Sequence, residues 1–207
     1  KGRKPSPFPP GPREAQGWAK SGRAAASGHA LPKTRKAVEA ALRKRSLTRE
    51  RAAAAVIRLL DGGHIRIGNE AYAEANESFG ATTLRKRHGE VKGATLKLQY
   101  KGKSGKMRTL KITDRSLSSF VKKCQDLDEQ HLFAWLDDAG VAHPVTSTDV
   151  NCYIRAVTGT DFTAKNFRTW AARVAAFQTL PPAHPAPHLQ ATPHPAPPPP
   201  RPRSPTP

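Results

Sequence analysis

Between residues 29 and 180 the apolar positions follow two alternating periods. Val38, Ala41 and Leu42 share one side of a basic stretch and predict a helix from Lys33 to Leu47. Thr48 is an N-cap for a second helix, in which Ala52, Val56, Leu59 and Leu60 recur at i, i+4, i+7 and i+8 before Asp61-Gly62-Gly63 ends it. A short third helix is predicted over 69–76. From Thr82 the period falls to two. Leu96, Leu98 and Tyr100 alternate with Lys97, Gln99 and Lys101, Gly102-Lys103-Ser104-Gly105 turns the chain, and Arg108, Leu110 and Ile112 return it. With Thr83 to Val91 in front, this predicts a three-stranded antiparallel sheet with one apolar and one cationic face.

Helical spacing then resumes. Leu117, Phe120, Val121 and Cys124 mark one helix, and Leu132, Phe133 and Leu136 a second. Thr146 with Asp149 forms a capping box for a helix carrying Val150, Ile154 and Val157, which Gly159 stops. Thr163 caps a last helix with Phe167, Trp170, Ala171 and Val174 at i, i+3, i+4 and i+7. The pattern as a whole is α+β, mainly α, with one small sheet and no internal repeat.

Proline usage sets the bounds of that core. Of twenty prolines, only Pro32 and Pro144 fall within 29–180; residues 1–28 carry five and 181–207 carry thirteen. Neither flank has apolar periodicity, so both are expected to be disordered tails around a core of 29–180, the second with polyproline II character. The three tail histidines fit low-complexity composition better than a metal site. Cys124 and Cys152 have no paired spacing that would make a disulfide framework or a zinc site, and both are expected on apolar helix faces as buried thiols. No apolar run is long enough to span a membrane.

Charge changes the picture more. The formal net charge is +19, and the stretch from Arg85 to Lys123 holds thirteen basic residues against Glu90 and Asp114. So one-sided a loading points to a polyanion partner, with nucleic acid the commonest, although a generally basic surface has the same composition. Three cations sit at the edges of predicted elements: Arg66 in the turn HIRIGNEAY, Lys103 in the hairpin YKGKSGK and Arg168 in the helix start DFTAKNFRTW. Singly, each has a plain structural reading: pairing with a carboxylate, solvation in a turn, or packing among aromatics.

Together, RIGNEAY, SFGATTLRKRH, YKGKSGK and FTAKNFRTW, in this order over about 31–180, resemble the catalytic domain of type IB DNA topoisomerases, the bacterial and poxvirus-like enzymes especially. The resemblance implies double-stranded DNA as partner and no metal or nucleotide cofactor. With no membrane-length run and no signal-peptide pattern, a cytoplasmic setting in the bacterial nucleoid is expected, and with no sign of an oligomer, a monomer. It implies that Arg66 and Arg168 hold the non-bridging phosphate oxygens and that Lys103 is the general acid for the departing 5′-oxygen. Arg suits the first role through its fixed fork of donors, and Lys the second because its proton is held less tightly. Phosphate-backbone contacts are expected from Tyr72, Arg85, Lys86, Arg87, Lys101, Ser104 and Lys106. A tyrosine recombinase shares the Arg, Lys, Arg order, but the RIGNEAY and GKSGK wording matches the topoisomerases.

The pattern breaks at the nucleophile. The family places a His or Asn and then the attacking tyrosine on helices after the F-R-T-[WY] segment, whereas here Tyr72, Tyr100 and Tyr153 all precede Arg168. The chain is therefore expected to be incomplete and cleavage-deficient. The alternative is a non-catalytic DNA-binding fragment that keeps the fold and the basic face. Residues 5–27 and 181–207 are expected to be read in a shifted frame, which a comparison of the gene in all frames tests. Loss of C-terminal helices would uncover apolar surface near Phe167, Trp170 and Phe177.

Overall fold

The computed structural model describes residues 30–179, so the two flanks and the expectations about them lie outside the described residues. Helix α1 covers 30–43 and α2 Arg49–Gly63; α3 spans Glu70–Asn76. Strands β1 (Gly89–Lys92), β2 (Thr95–Lys101) and β3 (Met107–Thr113) follow, then α4 (Arg115–Gln125), β4 (Ala134–Leu136), β5 (Ala142–Pro144), α5 (Ser147–Thr158) and α6 (Ala164–Thr179).

Helix α2 is the axis of the fold. Its AAAAVI run leaves little bulk on any side, so α4, α5, α6 and β4 all pack closely around it, and Ala52 through Ile57 are buried. Thr48 caps its start, accepting from the Arg51 N–H at 3.3 Å. The glycines expected to break it lie inside it. His64 ends the helix in the left-handed region, at φ 52°, and donates its N–H to Leu60. Gly63 is instead a packing point, because a Cβ there would lie 2.5 Å from the Leu110 methyl of β3. Arg51, unexpectedly buried, donates to the carbonyls of Arg45 and Ser46 and lies over the Phe120 ring at 5.2 Å.

The sheet has the expected antiparallel order β1-β2-β3, with Leu98 opposite Leu110 and Tyr100 opposite Arg108. Leu96, Leu98 and Tyr100 face the core and are buried. One cluster joins this face to α1, α2, α4, β4, α5 and α6. The capping box at Thr146 and Asp149 is present, and Gly159 ends α5 in the left-handed conformation at φ 67°.

Four expectations are corrected. The first helix stops at residue 43, and Leu47 lies beyond it, its carbonyl accepting from the Leu136 N–H at 2.8 Å. The first strand is only Gly89–Lys92. Residues 81–83 and 86–88 form 3-10 turns, since Thr83 bonds back to Gly80 and His88 Nδ1 accepts from the Arg85 N–H at 3.0 Å. The helix expected around Leu132 to Leu136 is a hairpin, β4 against β5. Asp137 Oδ1 accepts the N–H groups of Ala139 and Val141 and thereby folds the turn between them. Of the two cysteines only Cys124 is buried, whereas Cys152 is exposed. Burial pushes the Cys124 thiol up to about 11.

Candidate active site

The three cations singled out in the sequence arrive from three elements, and one short segment sets two of them. Residues 78–83 (SFGATT) lie between the loop that carries Arg66 and the hairpin that carries Lys103. On one side the N–H of Ala81 donates to Arg66 at 2.8 Å and that of Thr82 to Ile67 at 2.7 Å. On the other, the N–H of Phe79 donates to the Lys101 carbonyl at 2.8 Å and the Ser78 hydroxyl to that of Gly102 at 3.2 Å. Gly80 makes this clamp fit: a Cβ there would sit 2.5 Å from the Gly68 nitrogen and 2.7 Å from the Arg66 carbonyl oxygen.

Lys103 opens a 3-10 turn, Lys103–Gly105, at the tip between β2 and β3. The Gly102 N–H bonds to the Lys106 carbonyl at 2.8 Å, and Gly105 completes the turn at φ 71°, a conformation that favours glycine. Arg168 is set by α6. Phe167 is buried against the Phe162 ring at 5.2 Å, and the Ala164 N–H donates to Asn151 of α5 at 3.0 Å. With Phe167 turned inward, the next residue along the helix is carried to the surface.

These placements converge. Arg66, Lys103, Lys106 and Arg168 line one cavity of about 560 Å³, joined there by Arg108. All five are exposed, and among the described residues none is within ion-pair distance of a carboxylate. No acidic side chain lines the cavity. Burial, then the facing charges of Arg66 and Arg108, lower the Arg168 guanidinium from its ordinary value. A second cavity of about 260 Å³ shares Arg66, Phe79 and Lys103 with the first and is also lined by Tyr72, which is 45 % exposed. Like charges held together with no counter-charge are a costly arrangement until an anion enters. The forked guanidiniums and mobile ammoniums suit a phosphate-like one.

The other expected contacts divide. Arg85 is tied into the protein: its side chain is only 20 % exposed, pairs with Glu70 and donates from Nη1 to His131 Nε2 at 2.6 Å. His131 in turn contacts Glu129 through Nδ1 at 2.7 Å. Lys86 donates to the Leu127 carbonyl. Lys101 is 3.5 Å from Glu77, and Arg87 is exposed with its guanidinium 5.9 Å from the centre of the Phe79 ring. Ser104 stands in the turn, but its side chain lies outside the described residues. Arg108 was absent from the expected set, although its signal is visible: it occupies the apolar row of β3, with Leu110 and Ile112.

Comparison with known proteins decides the family. Residues 11–192 match the catalytic core of eukaryotic DNA topoisomerase I. The chain belongs to this family. Among type IB topoisomerases it is 33 % identical, over 121 residues, to DNA topoisomerase 1B of Acanthamoeba polyphaga mimivirus. That match covers 56 % of this chain and 36 % of the viral protein, so the chain spans about a third of the length of its curated relative. Among solved structures, the XerH site-specific recombinase bound to difH substrate, in a pre-cleavage complex, aligns with a TM-score of 0.47 and 15 % identity, covering 73 % of this chain and 42 % of that one. Its post-cleavage complex with palindromic difH substrate gives a TM-score of 0.47 and covers 41 % of the recombinase chain.

Proposed function

We propose that this chain carries the phosphate-binding part of a type IB topoisomerase site and engages double-stranded DNA through it. In the complete reaction a tyrosine hydroxyl, giving up its proton to water, attacks a phosphodiester of one strand, the bond from phosphorus to the 5′-oxygen breaks, and a 3′-phosphotyrosine forms. The departing 5′-oxygen takes a proton. Rotation of the cut strand and reversal of the same steps relax the DNA. In this reading Arg66 and Arg168 hold the non-bridging oxygens as charge gathers on them, and Lys103 delivers the proton from the hairpin tip. The observation that carries the proposal is the cavity itself, lined by five cations with no carboxylate partner among the described residues, in a chain of the topoisomerase family. Membership of the family and the viral relative's name support the same chemistry.

The attacking group is a separate matter. The tyrosines of these 207 residues are Tyr72, Tyr100 and Tyr153. Tyr100 borders the cavity but is 5 % exposed, and burial raises its hydroxyl. Tyr153 belongs to α5, where burial and the Glu50 charge push it up to about 12. Tyr72 lines the adjoining cavity and fits a contact to the DNA backbone. Cleavage on this account requires a tyrosine that these residues do not contain, and alone they bind duplex without cutting it. Incubation with supercoiled plasmid, without magnesium or ATP, tests this: a salt-sensitive band shift with no relaxation is expected. Relaxation would show that one of the three tyrosines attacks, and the absence of any shift would sink the DNA-binding assignment.

A further inference from the structure

The proposed chemistry uses two arginines and a lysine, and leaves Arg108 without a task. Its position is unusual. Antiparallel pairing puts Arg108 opposite Tyr100, in the same row of β3 as Leu110 and Ile112, so it stands on the sheet face that elsewhere packs into the core. A charged residue on that face needs a reason. The row runs out of the core at its end, and there Arg108 meets the cavity lined by Arg66, Lys103 and Arg168. Its stem lies over Gly102, where a Cβ would be 3.1 Å from Cγ and 3.8 Å from Nε. The side chain is thus held against the strand just before the Lys103 turn, with no carboxylate partner among the described residues.

One phosphodiester does not use what the cavity offers. It has two non-bridging oxygens and one negative charge, and two arginine forks already offer it two parallel N–H donors each and two positive charges. A third guanidinium on the same phosphate would add repulsion around an anion that is already over-neutralised. DNA supplies consecutive phosphates along each strand, and the cavity is lined by five cations, more than one phosphate charge calls for.

We infer that Arg108 binds a second phosphate of the same DNA, adjacent to the one held by Arg66 and Arg168, and so makes the site a reader of two consecutive backbone charges. Arg108 is then a DNA-binding residue that fixes how the strand lies across Lys103. The inference rests on the cavity being the DNA site.

Duplex binding by the 207-residue chain, followed by fluorescence anisotropy from about 50 to 200 mM salt, tests it, because each neutralised phosphate contributes about 0.9 to the slope of log affinity against log salt. Arg108→Ala, which vacates the second phosphate, is expected to reduce the magnitude of this negative slope by about 0.9; Arg66→Ala combined with Arg168→Ala, which vacates the first, by about the same amount; and the triple variant by about twice as much, as two phosphates require. Arg108→Lys, which keeps the charge and loses the fork, is expected to restore the slope but not the full affinity. Unchanged melting temperatures show that each variant folds. A triple variant whose slope is no shallower than that of the Arg66→Ala, Arg168→Ala chain overturns the second phosphate, as does an Arg108→Ala chain with wild-type slope. If Arg66→Ala and Arg168→Ala combined leave the slope unchanged, the cavity is not the DNA site, and the underlying reading fails together with this one.

Discussion

Two clusters of basic residues lie about 20 residues apart in the chain, and they have opposite fates. Around the tip of the β2-β3 hairpin, Lys103, Lys106 and Arg108 join Arg66 and Arg168 in an open cavity without a carboxylate. In the LRKRH segment, Arg85 is enclosed by Glu70 and His131, and Lys86 is bound to the Leu127 carbonyl. The first group is left with its electrostatic demand unmet, whereas Arg85 and Lys86 have theirs met by the protein and only Arg87 of that segment stays exposed. Charge alone does not separate a binding site from a structural tether. The partners do, since a cation already satisfied has little left to give to a phosphate, and removing its partner leaves a half-buried charge exposed to cost.

Substitutions in the cavity are expected to have the largest effects. Arg66→Glu places a negative charge where phosphate is expected, and a loss of at least a hundredfold in duplex affinity is expected, since each lost charge-assisted bond is worth about 1.5–3 kcal/mol before repulsion is added. Gly80→Ala attacks the clamp. Its Cβ meets backbone, which cannot yield as a side chain does, so stability should fall by about 1–3 kcal/mol and duplex affinity should fall with it as Arg66 moves. A variant with full stability and full affinity would show that the clamp does not set Arg66.

Acid should act on the fold. Asp114 and Asp149 both cap helices and pair with arginines. Burial raises each carboxyl, but in Asp114 the Leu117 N–H and Arg58, and in Asp149 Thr146 and Arg49, outweigh it and hold each below its ordinary value. A depressed folded value means stability that is fully present above the unfolded value of about 4 and is lost as pH falls through the folded one. Chemical denaturation at falling pH should show this loss, and Asp149→Asn should shrink it. The smallest effect is expected at Lys101→Ala. Its contact with Glu77 is a surface pair, so stability should change by no more than about 0.5 kcal/mol.

Much of the fold was legible because its signals are local. The capping box at Thr146, the 3.6-residue spacing of α2 and the alternation of Leu96, Leu98 and Tyr100 each lie within one element. The β4-β5 hairpin was missed because Leu132, Phe133 and Leu136, at i, i+1 and i+4, fit one face of a helix equally well. What decides for strands is the Asp137 turn and the pairing of Trp135 with His143. The site was legible to the extent that Arg66, Lys103 and Arg168 do share a cavity. The standing of Arg85 was not, because its partners Glu70 and His131 are 15 and 46 residues away in sequence. Arg108 was legible as a cation in an apolar row, but only the cavity gives that row its meaning.

On this reading the cations without a carboxylate partner bind DNA, and the paired ones hold the fold. Melting temperature and duplex affinity, measured together on Arg168→Ala and Arg85→Ala, test it most directly. Arg168→Ala is expected to keep the wild-type melting temperature and lose about tenfold or more in affinity, and Arg85→Ala to lose about 2 kcal/mol of stability while the folded protein keeps its affinity. An Arg85→Ala chain that melts normally and no longer binds, beside an Arg168→Ala chain that binds as before, would contradict the account.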